Sequence, residues 1–367
     1  MKKGYYIYAD NCGSSGVMKK IAMQMEAFNE KVEIIPLKIE TLDRTLYQRV
    51  VGLLPWNSFG RDYRQALQMI ESADFVYIRR MYVDKAYISF LRDIRRKNSD
   101  CKIIIELPVY PYAKEMLSSL YTGITYIREL LYRKRYVRCI DRFVTYSNDN
   151  CIWKVQTICT MNGINVSKVI PVVAKEYDKN NIHILAVAMF ARHHGYERLI
   201  IGLKQYYQNN PERKVYFHLV GGGSEEKKYK RLVGKYKLEK YVIFHGALYG
   251  DELDGIYNKM DVGVAALGVY KDGLEKLSTI KAREYIAKGL PVILGAQDDL
   301  FEGKGKEYGI QFSNDRQSID IKRIVKKMDE IHNGKTSEQL ISEIRDFAYK
   351  NVDNRVTLKP VIDYIEE

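Results

Sequence analysis

Short apolar runs alternate along this chain with stretches in which apolar residues recur every three or four positions. Tyr5–Asp10, Val32–Leu37, Asp74–Arg79 and Lys102–Leu107 read as buried strands, and helices are predicted over about 16–28 and 85–97. A strand over 142–147, a helix from about Asn150 and a strand over 168–173 follow. The polar, turn-rich stretch 174–181 then interrupts the pattern. Beyond it the alternation restarts. Strands are predicted at 183–189, 214–220, 242–245, 261–266 and 290–294, with helices over 196–207, 225–235 and 251–258. Three more helices, 318–331, 337–349 and 356–365, close the chain. Strands joined by crossover helices build parallel sheets. The expected class is α/β, with two tandem Rossmann-like doubly wound domains. The first covers 1–173 and the second 174–350, and 351–367 forms a helix that can return to the first domain.

Glu275–Gly295 packs a helix start, a helix stop and a strand into one segment. Ser278 or Thr279 can cap the helix, which puts Lys281 in its first turn and Lys276 just ahead of it. Carboxylates are the stabilising residues at that end of a helix. Lysines beside free N–H groups suit an anion such as phosphate, and the same pattern also fits a solvated lysine pair.

Charge and cysteine usage narrow the class further. The net charge is +13, with 27 Lys and Arg against 17 Asp and Glu up to Val173 and 32 against 29 beyond it. The first half therefore suits an anionic surface. Within it, Arg128, Arg133, Lys134, Arg135, Arg138 and Arg142 interleave with Leu130, Leu131, Tyr132, Tyr136 and Val137. That mixture fits a helix docking on anionic lipid, and equally a sheet-packed helix with a basic outer face. Five cysteines, Cys12, Cys101, Cys139, Cys151 and Cys159, contain no Cys-x-x-Cys pair, which speaks against a disulfide framework and a zinc site. The opening residues read as a strand rather than a signal peptide, and no apolar run is long enough to span a bilayer, so a cytoplasmic protein is expected.

In open parallel sheets, ligands bind beyond the carboxyl ends of the strands. The loop Asn11–Met18, with Gly13 and Gly16, allows close backbone approach but lacks the dinucleotide spacing Gly-x-Gly-x-x-Gly. Glu106 ends a strand and can orient or deprotonate an acceptor hydroxyl, unless a local hydrogen bond holds it. Arg192, His193 and His194 directly follow a strand, and Arg192 can fork onto phosphate oxygens. Adjacent histidines diverge, so no metal site is expected there. Gly221–Gly223 again permits close approach. A hydrolase elbow, a phosphate loop and a nucleic-acid module are all missing from the sequence.

Taken together, these pieces resemble the family-4-like glycosyltransferases of the GT-B fold, of the bacterial surface-polysaccharide type. The resemblance rests on Gly13–Gly16, Thr160–Ile164, Ala191-Arg192 with Gly195–Ile200, and Leu219–Gly223, in that order. It continues through Val242–Gly246, Asp261–Val264 and Arg283–Ile293. It implies metal-independent, retaining transfer from a nucleotide-diphosphate sugar, a co-substrate rather than a cofactor, in a cleft between two domains. The acceptor would be a lipid-linked oligosaccharide or a polysaccharide, met by an enzyme lying peripherally on the inner face of the cell membrane. Nucleic acid is not among the implied partners. Glu284 corresponds to the residue holding the donor ribose, and Arg192 to the arginine on the diphosphate. Gly16, His194, Gly222, Lys276, Ser278, Thr279 and Lys281 complete the implied donor site, with Glu106, Arg192 and Lys281 as candidate catalytic residues. Two positions depart from the family. Lys276 stands where a glutamate is usual, and His194 replaces a lysine, so Lys276 and Lys281 are expected to restore the missing positive charge. The departures leave two other readings open, a catalytically silent GT-B subunit and a nucleotide-sugar epimerase.

Overall fold

A computed structural model describes residues 1–9, 15–43, 45–52, 54, 56–58 and 60–367. The chain divides into two units, Met1–Met161 with Asn354–Glu367, and Asn162–Asp353. In the first unit the strands are β1 Lys3–Ala9, β2 Glu33–Ile39, β3 Phe75–Arg79, β4 Lys102–Leu107, β5 Arg142–Thr145, β6 Cys151–Ile152 and β7 Val155–Cys159. They form one sheet in the order β2-β1-β3-β4-β5-β7-β6, parallel except for the β6–β7 hairpin. Its helices are α1 Ser15–Asn29, α2 Leu46–Val51, α3 Tyr63–Met69, α4 Lys85–Lys97, α5 Ala113–Met116 and α6 Leu120–Tyr136. Alternate strand residues face opposite sides of the sheet. Ile7, Val76, Ile78, Ile103 and Ile105 pack with Ala66, Tyr87, Leu91, Ile94 and Tyr136 from α3, α4 and α6. Tyr6, Tyr77 and Ile104 pack on the other face with Ile21 and Phe28 of α1.

The second unit carries β8 Asn181–Met189, β9 Lys214–Gly222, β10 Val242–Gly246, β11 Val262–Val264, β12 Val292–Leu294 and β13 Gly309–Gln311. All pair in parallel, in the order β10-β9-β8-β11-β12-β13. Its helices are α7 Glu197–Tyr207, α8 Glu226–Tyr236, α9 Gly250–Tyr257, α10 Ile280–Lys288, α11 Ile321–His332 and α12 Ser337–Asn351. The last two helices, α13 Asn354–Thr357 and α14 Lys359–Glu366, belong to the first unit, where Val361, Ile362 and Ile365 join the α1 side of the core.

Two expected elements are different. The helix from Asn150 is instead the β6–β7 hairpin, in which Ile152 faces Val155 across Trp153 and Lys154. Both turn residues have positive φ, 49° and 72°, the turn geometry that matches the right-handed twist of paired strands. The Trp153 ring meets Phe143 edge-on at 5.6 Å, a packing contact that local periodicity does not reveal. The strand over 168–173 is absent. Val166–Lys168 is one 3-10 turn, and the Val172 and Val173 N–H groups go to the Lys288 carbonyl and the Asn258 side chain rather than to a ladder. The units divide at Met161/Asn162, ahead of the turn-rich stretch at 174, because Asn162 and Val166 bond Ser278 and Asp353 of the second unit.

Candidate active site

The order of the second sheet reverses between β8 and β11, so the loops leaving these strands diverge and open a crevice. After β8 the chain makes a 3-10 turn, Arg192–His194, and reverses at Gly195 with φ +61°. A Cβ at Gly195 would lie 2.5 Å from the Gly268 nitrogen, so only glycine fits there. The close approach lets the His194 and His193 carbonyls accept the Leu267 and Gly268 N–H groups at 2.8 and 2.9 Å. The turn after β8 is thereby clamped to the loop after β11.

That loop leads into α10. Thr279 is its N-cap, with Oγ1 accepting the Ala282 N–H at 3.2 Å, and Gly289 at φ +89° ends it. The Ile280 and Lys281 N–H groups in the first turn have no intrahelical acceptor. Lys281 is half-buried, and among the described residues its ammonium has no hydrogen-bond or ion-pair partner. Burial lowers its pKa, against the opposing pull of Glu284 one turn further on. Glu284 is also half-buried and unpaired among the described residues.

His194 lies close to Lys281. Burial, His193 and Lys281 together push its pKa down to about 3, so the imidazole is neutral. Its Nδ1 accepts the Ala191 N–H at 3.0 Å, which leaves the proton on Nε2 as a donor. The Arg192 guanidinium is exposed and has no partner among the described residues, while its carbonyl accepts Lys271 Nζ at 3.0 Å. Gly222, at the end of β9, bonds through its carbonyl to the Phe190 N–H at 2.7 Å.

Other expected site residues prove to be structural. Lys276 is ion-paired with Asp299 and so does not restore the charge missing at His194. Ser278 does not cap α10. Its Oγ accepts the Asn162 N–H at 2.9 Å and its carbonyl accepts Asn162 Nδ2 at 2.6 Å. Two residues unforeseen in the sequence support this start of α10: Arg283, fully buried, donates to the Asn162 carbonyl at 3.1 Å and pairs with Asp298. Spacing gave no signal for that pair, although an arginine in an otherwise apolar helix face signals a buried acceptor. Arg198 is likewise buried, donating to the carbonyls of Leu267, Ser313 and Gln317.

In the first unit, Glu106 is fully buried beneath Lys20 at 3.0 Å and Arg79 at 2.8 Å, with Gln24 and Tyr146 also donating to it. Burial alone would raise its pKa, but the two cations and the hydrogen bonds outweigh burial and bring it down to about 2. A carboxylate so held is a poor base, which corrects its expected catalytic role. Gly16 lies in the first turn of α1, and the loop residues Asp10–Ser14 fall outside the described residues. Arg128 is buried too, donating to the carbonyls of Gly52 and Leu54 at 2.6 and 2.7 Å, and Arg133 pairs with Glu129 while lying over the Trp153 ring. Neither is placed for lipid, whereas Lys134, Arg135 and Arg138 are exposed.

Residues 172–347 match the family model described as glycosyl transferases group 1. That stretch is a group 1 glycosyltransferase domain. No curated protein sequence matches it significantly. Solved structures nevertheless match this glycosyltransferase along its whole length. A glycosyltransferase from Rickettsia africae ESF-5 aligns at TM-score 0.62 and 13% identity, covering 100% of this chain and 98% of its own. Anabaena HepE in complex with UDP-glucose aligns at TM-score 0.61 and 12% identity, covering 99% and 100%. Sucrose-phosphate synthase from Thermosynechococcus elongatus aligns at TM-score 0.61 and 15% identity, covering 100% and 99%. At these identities the structural likeness establishes the fold, two Rossmann-like domains of the GT-B class.

Proposed function

We propose that this glycosyltransferase moves a sugar from a nucleotide-diphosphate sugar to a lipid-linked oligosaccharide or polysaccharide acceptor, with retention and without a divalent metal. The observation that carries the reading is Lys281, a half-buried cation in the first turn of α10 with no hydrogen-bond or ion-pair partner among the described residues. An anion is what such a site lacks. In this reading the diphosphate lies against the Ile280 and Lys281 N–H groups and the Lys281 ammonium. Arg192 reaches its outer oxygens, and neutral His194 donates through Nε2. Glu284, one turn further on and without an ion-pair partner among the described residues, accepts the ribose hydroxyls. The acceptor hydroxyl attacks the anomeric carbon on the face from which the diphosphate departs. The bond from the anomeric carbon to the diphosphate oxygen breaks, its electron pair stays on that oxygen, and the oxygen takes the acceptor proton. Lys281, Arg192 and the helix N-terminus stabilise the departing charge. The uridine diphosphate ligands of similar folds make UDP-hexoses the first donors to try. Incubation with a panel of nucleotide sugars is expected to reveal one that raises the unfolding temperature and is slowly hydrolysed. A panel that does neither contradicts the reading.

A further inference from the structure

Helix α6 exposes an apolar stripe that the core does not use. Leu120, Ile127 and Leu131 are 84%, 51% and 63% exposed, and with half-buried Ile124 they follow the i, i+4, i+7, i+11 spacing of one helix face. The same face continues into Lys134, Arg135 and Arg138, exposed and without ion-pair partners among the described residues. Flanking the stripe, one turn on from Ile124, is Arg128, whose guanidinium holds the carbonyls of Gly52 and Leu54. The stretch of chain that supplies those carbonyls carries further exposed apolar side chains: Leu46 at 80%, Tyr47 at 77% and Trp56 at 61%. Burying charged Arg128 in order to present apolar residues to water makes sense only if something else covers them.

We propose that this surface of the first unit docks into the head-group region of an anionic bilayer. Leu120 and Leu131 are separated by about 16 Å along the axis, at about 1.5 Å per residue, and the cations follow one turn later. The face is therefore apolar at one end and cationic at the other. The apolar end enters the acyl boundary while Lys134, Arg135 and Arg138 meet lipid phosphates. Trp56 and Tyr47 are side chains suited to that interface. The docking residues are thus Leu120, Ile127 and Leu131 with three cations, and Arg128 and Arg133 serve as internal ties. Among the described residues no helix is long and apolar enough to cross a membrane, so contact would be in the plane of the surface. The proposal gives physical content to the lipid-linked acceptor of the preceding reading, and it is tested without sugar transfer.

The test is cosedimentation of the full-length protein with vesicles of phosphatidylcholine alone or mixed with phosphatidylglycerol. The parent protein is expected to sediment with the anionic vesicles and to be released by salt. Replacing Lys134, Arg135 and Arg138 by Ala is expected to weaken binding on the order of a hundredfold, from about fivefold per cation. The pair Leu120→Ser and Leu131→Ser is expected to weaken it about tenfold or more. All five side chains are exposed, so the unfolding temperature should not move. A parent protein left in the supernatant with both vesicle types overturns the proposal. Variants that sediment like the parent also overturn it, as does a parent dimer that the Leu→Ser pair dissolves. Vesicle binding without nucleotide-sugar use would defeat only the transfer reading. Transfer to a soluble acceptor by a protein indifferent to vesicles would defeat only this one.

Discussion

Lys281 and Glu106 are both ionisable residues drawn into the protein, and their partners decide their roles. Glu106 has four donors and a pKa held down to about 2, so its charge is spent within the first unit. Glu106→Gln leaves Lys20 and Arg79 buried without their counter-charge and is expected to cost about 3–5 kcal/mol, read as a lower denaturant midpoint. A loss below about 1 kcal/mol would mean the cluster is not acting as a unit. Among the described residues Lys281 has no hydrogen-bond or ion-pair partner, and burial lowers its pKa against the pull of Glu284. Lys281→Ala is therefore expected to leave stability nearly unchanged and to weaken nucleotide-sugar binding by about tenfold to a hundredfold, the range of charged hydrogen bonds. Titration calorimetry separates these outcomes. At this scale the sequence was partly legible. The first-turn place of Lys281 follows from Thr279 and Gly289, both local signals. The fate of Glu106 did not follow, because its partners Lys20, Arg79 and Tyr146 lie 86, 27 and 40 residues away.

Elements with a local start and stop were readable, and those defined by tertiary partners were not. Helix α4 and strand β4 run over Lys85–Lys97 and Lys102–Leu107 as their patterns require. The β6–β7 hairpin was missed because its turn uses Trp153 and Lys154 in left-handed conformations without glycine or asparagine. The basic helix was read correctly as amphipathic but with the wrong residues outside, since Arg128 turns inward to carbonyls more than seventy residues away. The proposed donor site depends on helix α10, whose first turn is fixed by Thr279. Thr279→Ala is expected to cost about 1 kcal/mol and to weaken donor binding as the N–H groups fray. Unchanged donor affinity in that variant would separate the cap from the site.

Across the whole molecule, buried His194 and half-buried His218 contribute to the response to acid. His183, His218 and His245 form a chain across β8, β9 and β10, with ring nitrogens 3.0 and 2.9 Å apart. Burial and the flanking His183 and His245 bring His218 down to about 3, matching His194. A histidine whose pKa is depressed by folding contributes stability above its unfolded value and loses it as pH falls. Between about pH 6.5 and 3 the unfolded chain binds protons that native His194 and His218 refuse. Each can remove up to about 1.4 kcal/mol per pH unit in that window. Thermal unfolding at pH 7 and pH 5 is expected to show a clear drop in midpoint, and equal midpoints would contradict the assignment of neutral rings at His194 and His218.

In the proposed function, the crevice at the reversal of the second sheet is an anion site for a nucleotide-diphosphate donor. Thermal unfolding of the parent protein and of Lys281→Ala, each with and without a UDP-hexose panel, tests it most directly. At least one donor is expected to raise the parent's midpoint and to have little effect on the variant. An identical rise in both proteins, or no rise with any donor, would contradict it.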